Sequence, residues 1–170
     1  MEDPEILAKI KVFQDKVLDG HAPGLTGKDL CAYVIAGIGS DHECTSLDEA
    51  REKLRNGMHI MIRKGSAAKN LSTLLPLVNE HNSRNCFFVT DDLDPEDILE
   101  KGHINSLVRT AINKGLDPIR AIQMATINPA AYFRLKGLGR VAPGSLADLL
   151  ILDDLKQVSI ARVYQSGRLV

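Results

Sequence analysis

Three side chains able to bind a metal, His21, His42 and Asp91, each follow a short apolar run, around Val17-Leu18, Ile38-Gly39 and Cys86-Phe87-Phe88-Val89 respectively. Imidazole nitrogen and carboxylate oxygen together suit Zn, Mn or Fe(II). A bound cation would lower the pKa of its water toward neutrality, and Asp91 could both bind the metal and accept the released proton. Glu43, beside His42, is a candidate proton shuttle, and Asp41, Glu43 and Asp92 crowd acid around the same end of the strands. Carboxylates at buried strand ends are costly unless a cation or a hydrogen bond offsets them. Plainer readings stay open: a hydrogen-bonded structural residue for each histidine, a solvated loop acid for Glu43, and a helix cap or a partner of a ligand for Asp92. Arg63-Lys64-Gly65-Ser66 could hold an anion at a helix N-terminus, although it lacks the GxxxxGK[ST] spacing of a nucleotide-phosphate loop. His59 at a strand start, His81 in an Asn-rich turn and His103 after Gly102 read as structural or exposed. Cys31, Cys44 and Cys86 read as small apolar residues.

The elements that must position these groups alternate. Strands begin near residues 17, 38, 59 and 86, and helical patterns fill the gaps: Gly27 toward Gly37 behind Thr26, Leu47 to Arg55 capped by Ser46, and a stretch through Leu71, Leu74, Leu75 and Val78. Asp3-Pro4-Glu5 is a helix start. Such alternation predicts βα units on a parallel sheet, with the polar tips at the C-terminal strand ends where α/β folds place their chemistry. A long helix over 95–114 and a second from Pro118 to about Ile127, stopping before Asn128-Pro129, follow. Beyond Gly137 the helical period disappears. Ala147 to Asp153 and Val158 to Tyr164 read as strands, and Arg168-Leu169-Val170 as a third without an evident pairing partner.

The 170 residues carry 21 Lys plus Arg against 22 Asp plus Glu, a net charge of −1. That balance gives no basis for a nucleic-acid or membrane-surface partner. No stretch reaches the ~20 apolar residues of a membrane span. An odd set of three cysteines without CxxC supports neither a disulfide framework nor a zinc knuckle. With an acidic rather than basic start, the expected compartment is the cytoplasm.

The strings Asp19-Gly20-His21-Ala22-Pro23-Gly24, Gly27-Lys28-Asp29-Leu30, Ser40-Asp41-His42-Glu43, Arg63-Lys64-Gly65-Ser66 and Thr90-Asp91-Asp92 resemble the bacterial and archaeal adenine deaminases of the amidohydrolase superfamily. Gly102-His103 and Met124 to Ala130 fit the same family. Gly139 to Leu149 is similar to the turn by which amidohydrolases leave the barrel for a small β-sandwich, a feature of the whole superfamily. The resemblance implies an α/β fold, the C-terminal half of a (β/α)8 barrel over residues 1–135 and the start of a β-sandwich over 136–170. It implies that His21 and His42 are metal ligands on the fifth and sixth barrel strands. Asp91 would be the acid of the eighth strand that binds metal and shuttles protons, and Glu43 an acid near the purine that aids proton transfer to its ring nitrogen. The reaction would be hydrolysis of adenine at C6 to hypoxanthine and ammonia. The implied cofactor is a divalent metal, Mn or Fe ahead of Zn, in a two-metal site.

Amidohydrolases also carry a His-x-His pair on the first strand and a bridging carboxylate on the fourth. This chain contains no His-x-His, and Glu2 and Glu5 fall in helix-start territory. The expectation is therefore a partial chain, weakly active by itself, whose partner beyond the small-molecule substrate is an N-terminal half or a second copy. A closed barrel typically takes about 250 residues. Three rivals remain: another amidohydrolase such as an N-acyl deacetylase, a non-catalytic half-barrel subunit, and a doubly wound α/β binding module.

Overall fold

Short apolar strands in parallel register organise the first ninety residues of the computed structural model, which describes residues 3–170. Strands β1 (Ser40–Asp41), β2 (His59–Arg63) and β3 (Cys86–Val89) form one sheet in the order β1-β2-β3. Ser40 pairs with His59, and Ile60 with Cys86. Leu18 extends the sheet by a single parallel bridge to Ile38. His59-Ile-Met-Ile-Arg63 and Cys86-Phe-Phe-Val89 are almost continuously apolar, as befits parallel strands covered on both faces. Ile60, Ile62, Cys86 and Phe88 are buried together with Leu71, Leu74, Leu107, Ala111 and Met124.

The covering helices begin with α1 (Pro4–Val12), N-capped by Asp3, and α2 (Gly27–Ile35). Next come α3 (Leu47–Arg55), whose N-terminus Ser46 caps by accepting from the Glu49 N–H, and α4 (Leu71–Leu74). Pro76 turns the chain after α4 into a 3-10 turn, Leu75–Leu77, so the expected helix through Val78 is only four residues long. Glu2, expected in the first helix start, lies outside the described residues.

Two strands are shorter than their sequences suggest. The run Val17-Leu18 keeps one bridge, and β1 only two residues, because Gly20, Gly37 and Gly39 are poor strand formers and Asp19 bonds locally. Its Oδ1 accepts from the Gly20 N–H and the Ser40 hydroxyl. The expected single helix over 95–114 is two, α5 (Pro95–Lys101) and α6 (Ile104–Asn113). Gly102, at φ +89°, breaks them, a conformation that glycine alone adopts without strain. After α7 (Pro118–Ala125) the chain breaks at Thr126 and re-enters a helix, α8 (Ile127–Tyr132). Asn128-Pro129 thus sits inside a helix instead of ending one. Pro129 is tolerated because it lies in the first turn, where backbone N–H groups have no intrahelical acceptor.

Strands β4 (Leu149–Asp154), β5 (Ser159–Gln165) and β6 (Arg168–Leu169) form an antiparallel sheet in the order β4-β5-β6. The last strand does have a partner, contrary to its isolated appearance in sequence. It pairs with β5 across Ser166-Gly167, both at positive φ as a tight two-residue hairpin requires. Val158 joins the main core, and the Arg109 Nε donates to the Gln157 carbonyl, so this sheet is docked on α6. No helix among the described residues is long and apolar enough to cross a membrane.

Candidate metal centre

His21 sits in the loop that follows Leu18, and His42 and Glu43 directly follow β1. Their side chains converge. His21 Nδ1 lies 3.4 Å from His42 Nε2, and Glu43 Oε1 lies 3.5 Å from His42 Nε2 and 3.7 Å from His21 Nδ1. Two imidazoles and one carboxylate within 4.8 Å of one another are a donor set that fits a divalent cation. His42 and Glu43 are largely covered, whereas the His21 side chain is 66% exposed.

Asp91 lies across an arginine from this group. The Arg63 Nη1, from the end of β2, donates to Glu43 Oε1 at 2.6 Å and to Asp91, and its Nη2 donates to Glu43 Oε2 at 3.1 Å. Burial works against the guanidinium charge, but the Asp91 and Glu43 hydrogen bonds outweigh it and hold Arg63 above its ordinary pKa. Asp91 itself takes φ +55°, a left-handed conformation that aspartate accepts more readily than most residues. The Arg63 Nε is buried without a partner among the described residues.

Other candidates go elsewhere. Asp41 turns away from the mouth into a buried cluster with Lys53, so it does not add acid beside Glu43. Asp92 accepts from the backbone of Ala67 and Ala68 and closes the loop after β2. Arg63-Lys64-Gly65-Ser66 is not an anion cradle: Arg63 binds two carboxylates, Lys64 donates to the Thr110 hydroxyl and Ser66 to Asp97. His59 packs at a tilt against the Tyr132 ring, with centroids 4.6 Å apart. His103 Nε2 lies 3.3 Å from the Thr90 hydroxyl, and His81 is exposed beside Glu80. Asp41, Cys44 and Glu49 also approach one another closely, but their cation is already present as the Lys53 ammonium. Burial, reinforced by Asp41, pushes the Cys44 thiol far up, so it remains a neutral donor.

Sequence reasoning missed the residues that support the histidines. Tyr132 donates to Ser40 Oγ at 2.7 Å, Ser40 donates to Asp19 at 2.7 Å, and Asp19 Oδ2 stands 3.9 Å from His42 Nδ1. Lys53 and Glu49, at i,i+4 on α3, look like an ordinary surface pair. Their spacing carries no signal that sets them apart from such a pair. Gly20 is equally specific in its role: a Cβ there would lie 2.2 Å from the Ser40 carbonyl and 2.8 Å from Ile38 Cγ2. Gly20→Ala is expected to destabilise the protein by about 1–3 kcal/mol in urea unfolding, the range of overpacked cores. An unchanged midpoint would mean that the His21 loop is not seated on β1.

The parallel sheet and, at the C-terminal ends of its strands, the convergent His21, His42 and Glu43 define an α/β protein with a donor cluster that fits a divalent cation. The family model described as "Amidohydrolase family" matches residues 2–170, and the chain belongs to that family. It is similar to adenine deaminases: 56% identical over 167 residues to one from Dehalococcoides mccartyi (strain ATCC BAA-2266 / KCTC 15142 / 195), and 51% over 170 residues to one from Thermosipho africanus. These matches cover 98% and 99% of this chain but only 29% and 30% of the relatives, so the chain spans less than a third of their length. Among solved structures, N-acetyl-D-glucosamine-6-phosphate deacetylase from Mycobacterium smegmatis aligns with a TM-score of 0.77, over 99% of this chain and 52% of that one. A β-aspartyl dipeptidase from Fervidobacterium islandicum AW-1 aligns at 0.71, over 97% and 52%. At 18% identity both show the shared fold alone.

Proposed function

We propose that the chain carries a portion of an adenine deaminase, the enzyme activity that hydrolyses adenine to hypoxanthine and ammonia. The observation behind this reading is the 56% identity to an adenine deaminase over nearly the whole chain. Convergence of His21, His42 and Glu43 supports it. On this reading residues 1–135 supply the last four βα units of a (β/α)8 barrel, and 136–170 begin a β-sandwich. Exposed Leu150, Ile151, Ile160 and Leu169 on the antiparallel sheet are consistent with further protein covering it. An N-terminal half, or a second copy of the chain, is the expected partner.

His21, His42 and Asp91 are the proposed metal ligands, with Mn or Fe ahead of Zn and a second ion in the complete enzyme. The cation would supply activation of the attacking water. Asp91 would receive one proton from that water and deliver it to the amino group that leaves as ammonia, and Glu43 would aid transfer of the water's other proton to a purine ring nitrogen. Arg63 orients both carboxylates and compensates their charge.

The test is ammonia release from adenine in Mn(II), measured on this chain alone and on the chain co-produced with the N-terminal portion of the Dehalococcoides mccartyi enzyme. Adenine hydrolysis is expected to be weak for the chain alone and strong with the partner. Acetate release from N-acetylglucosamine 6-phosphate under the same conditions would favour an N-acyl deacetylase, and no turnover of adenine in either preparation would overturn the proposal.

A further inference from the structure

Behind the two histidines lies an ion cluster that the proposed reaction leaves unused. Lys53, in the last turn of α3, is fully buried. Its ammonium has three protons and three acceptors: the Ala22 carbonyl at 2.6 Å, Glu49 Oε1 at 2.7 Å and Asp41 Oδ2 at 2.9 Å. The two carboxylates in turn hold backbone. Asp41 Oδ1 accepts from the Ala22 N–H at 2.9 Å. Glu49 accepts from the Gly24 N–H at 2.8 Å and from the Thr45 N–H at 3.1 Å.

Both polar groups of Ala22, the residue after His21, therefore end in this cluster. So does Asp41, the residue before His42. The segment from Gly20 to Leu25 is neither helix nor strand, and its buried backbone groups need partners from outside. The exposed ring of His21 receives little packing, and its own N–H reaches only the Tyr33 hydroxyl at 3.1 Å. Replacing a buried ion cluster by apolar side chains is often neutral or stabilising, so stability alone is a poor account of a lysine in this place.

We infer that Lys53 is a positioning residue: by clamping the Ala22 N–H through Asp41, and the Ala22 carbonyl directly, it sets His21 at bonding distance from His42. The placement stands on the geometry, and its consequence for a metal rests on the reading of these histidines given under Proposed function. Glu49 has the same role further along the loop, at Gly24.

The experiment compares wild type, Lys53→Met, Glu49→Gln and a remote core truncation, Leu107→Ala, under conditions where circular dichroism shows each folded. Three readouts are taken: amide hydrogen exchange by NMR, the cross-peak between the His21 and His42 rings, and Mn(II) affinity from the paramagnetic resonance signal of the free ion. In Lys53→Met, exchange at Ala22 and Gly24 is expected to accelerate at least tenfold relative to β2, the ring cross-peak to vanish and Mn(II) affinity to fall about tenfold. Glu49→Gln, the milder variant, should loosen Gly24 more than Ala22. Leu107→Ala should leave the cross-peak intact and the affinity within twofold. The inference is overturned if wild type lacks the cross-peak, if neither Lys53→Met nor Glu49→Gln loosens the loop, or if Leu107→Ala loosens it equally. Loss of the cross-peak in Lys53→Met, together with a wild type that keeps the cross-peak but binds no Mn(II), would sink the metal reading and leave the clamp standing.

Discussion

Lys53→Met is expected to lower the free energy of unfolding by about 3–5 kcal/mol near neutral pH, the cost of removing one partner from a buried charge cluster. That is a large share of the roughly 5–15 kcal/mol that holds a domain folded. The pH dependence identifies the cause. In the wild type, burial pushes the Asp41 and Glu49 carboxyls up, but hydrogen bonds from Lys53 and from backbone N–H groups outweigh it and hold both below their ordinary values of 3.8 and 4.5. Their contribution is present above those values and lost as pH falls through the lower folded ones. Lys53 is the mirror case. Burial lowers it, Glu49 and Asp41 raise it more, and its contribution is full below 10.5 and lost as pH rises through the folded value. In the variant the carboxyls keep their burial and lose their cation, so their folded pKa values rise above the unfolded ones. Protonation then relieves the variant. The stability gap between wild type and Lys53→Met should narrow as pH is lowered from about 7 to about 4.5, measured by urea unfolding. A constant gap would assign the loss to packing and not to stranded charge.

The same cluster marks where the sequence was readable and where it was not. Helix and strand order followed from caps and apolar runs: Ser46 and Asn56-Gly57 bound α3, and the runs ending at Arg63 and Val89 became β2 and β3. The histidines were visible as candidates because metal-competent groups follow several successive strands, and parallel strands bring their C-terminal ends together. Side-chain partners were not visible. Asp41, between Ser40 and His42, has the same type as a mouth acid, and only the direction of its side chain sends it to Lys53. Glu49 and Lys53 form the i,i+4 pattern of countless solvated helices, and burial, which spacing does not encode, changes their meaning. Arg63 looked like an anion ligand because an arginine at a strand end is unassigned until its neighbours are known. Its neighbours are Glu43 and Asp91. The break at Gly102 had a local mark, since glycine disfavours a helix interior, whereas Thr126 carries no comparable mark in the sequence.

His42→Ala should reduce Mn(II) affinity by about a hundredfold or more, beyond the 10–100-fold typical of residues that only support a ligand. His42 stands at the middle of the donor group: its Nε2 faces both His21 and Glu43, and its Nδ1 faces Asp19. Removing it leaves His21, on a loop and mostly exposed, with Glu43 and Asp91, both already bound by Arg63. One imidazole and two carboxylates whose charge an arginine already compensates offer a cation little. Asp19→Asn should cost less, about tenfold, because Asp19 is anchored by the Gly20 N–H and the Ser40 hydroxyl and acts on His42 only from 3.9 Å. The ordering of the two effects, read from Mn(II) titrations of the folded variants, separates a ligand from its support. Equal affinity in wild type and His42→Ala would place the bound ion away from these histidines. An Asp19 effect as large as that of His42 would make the carboxylate a direct ligand.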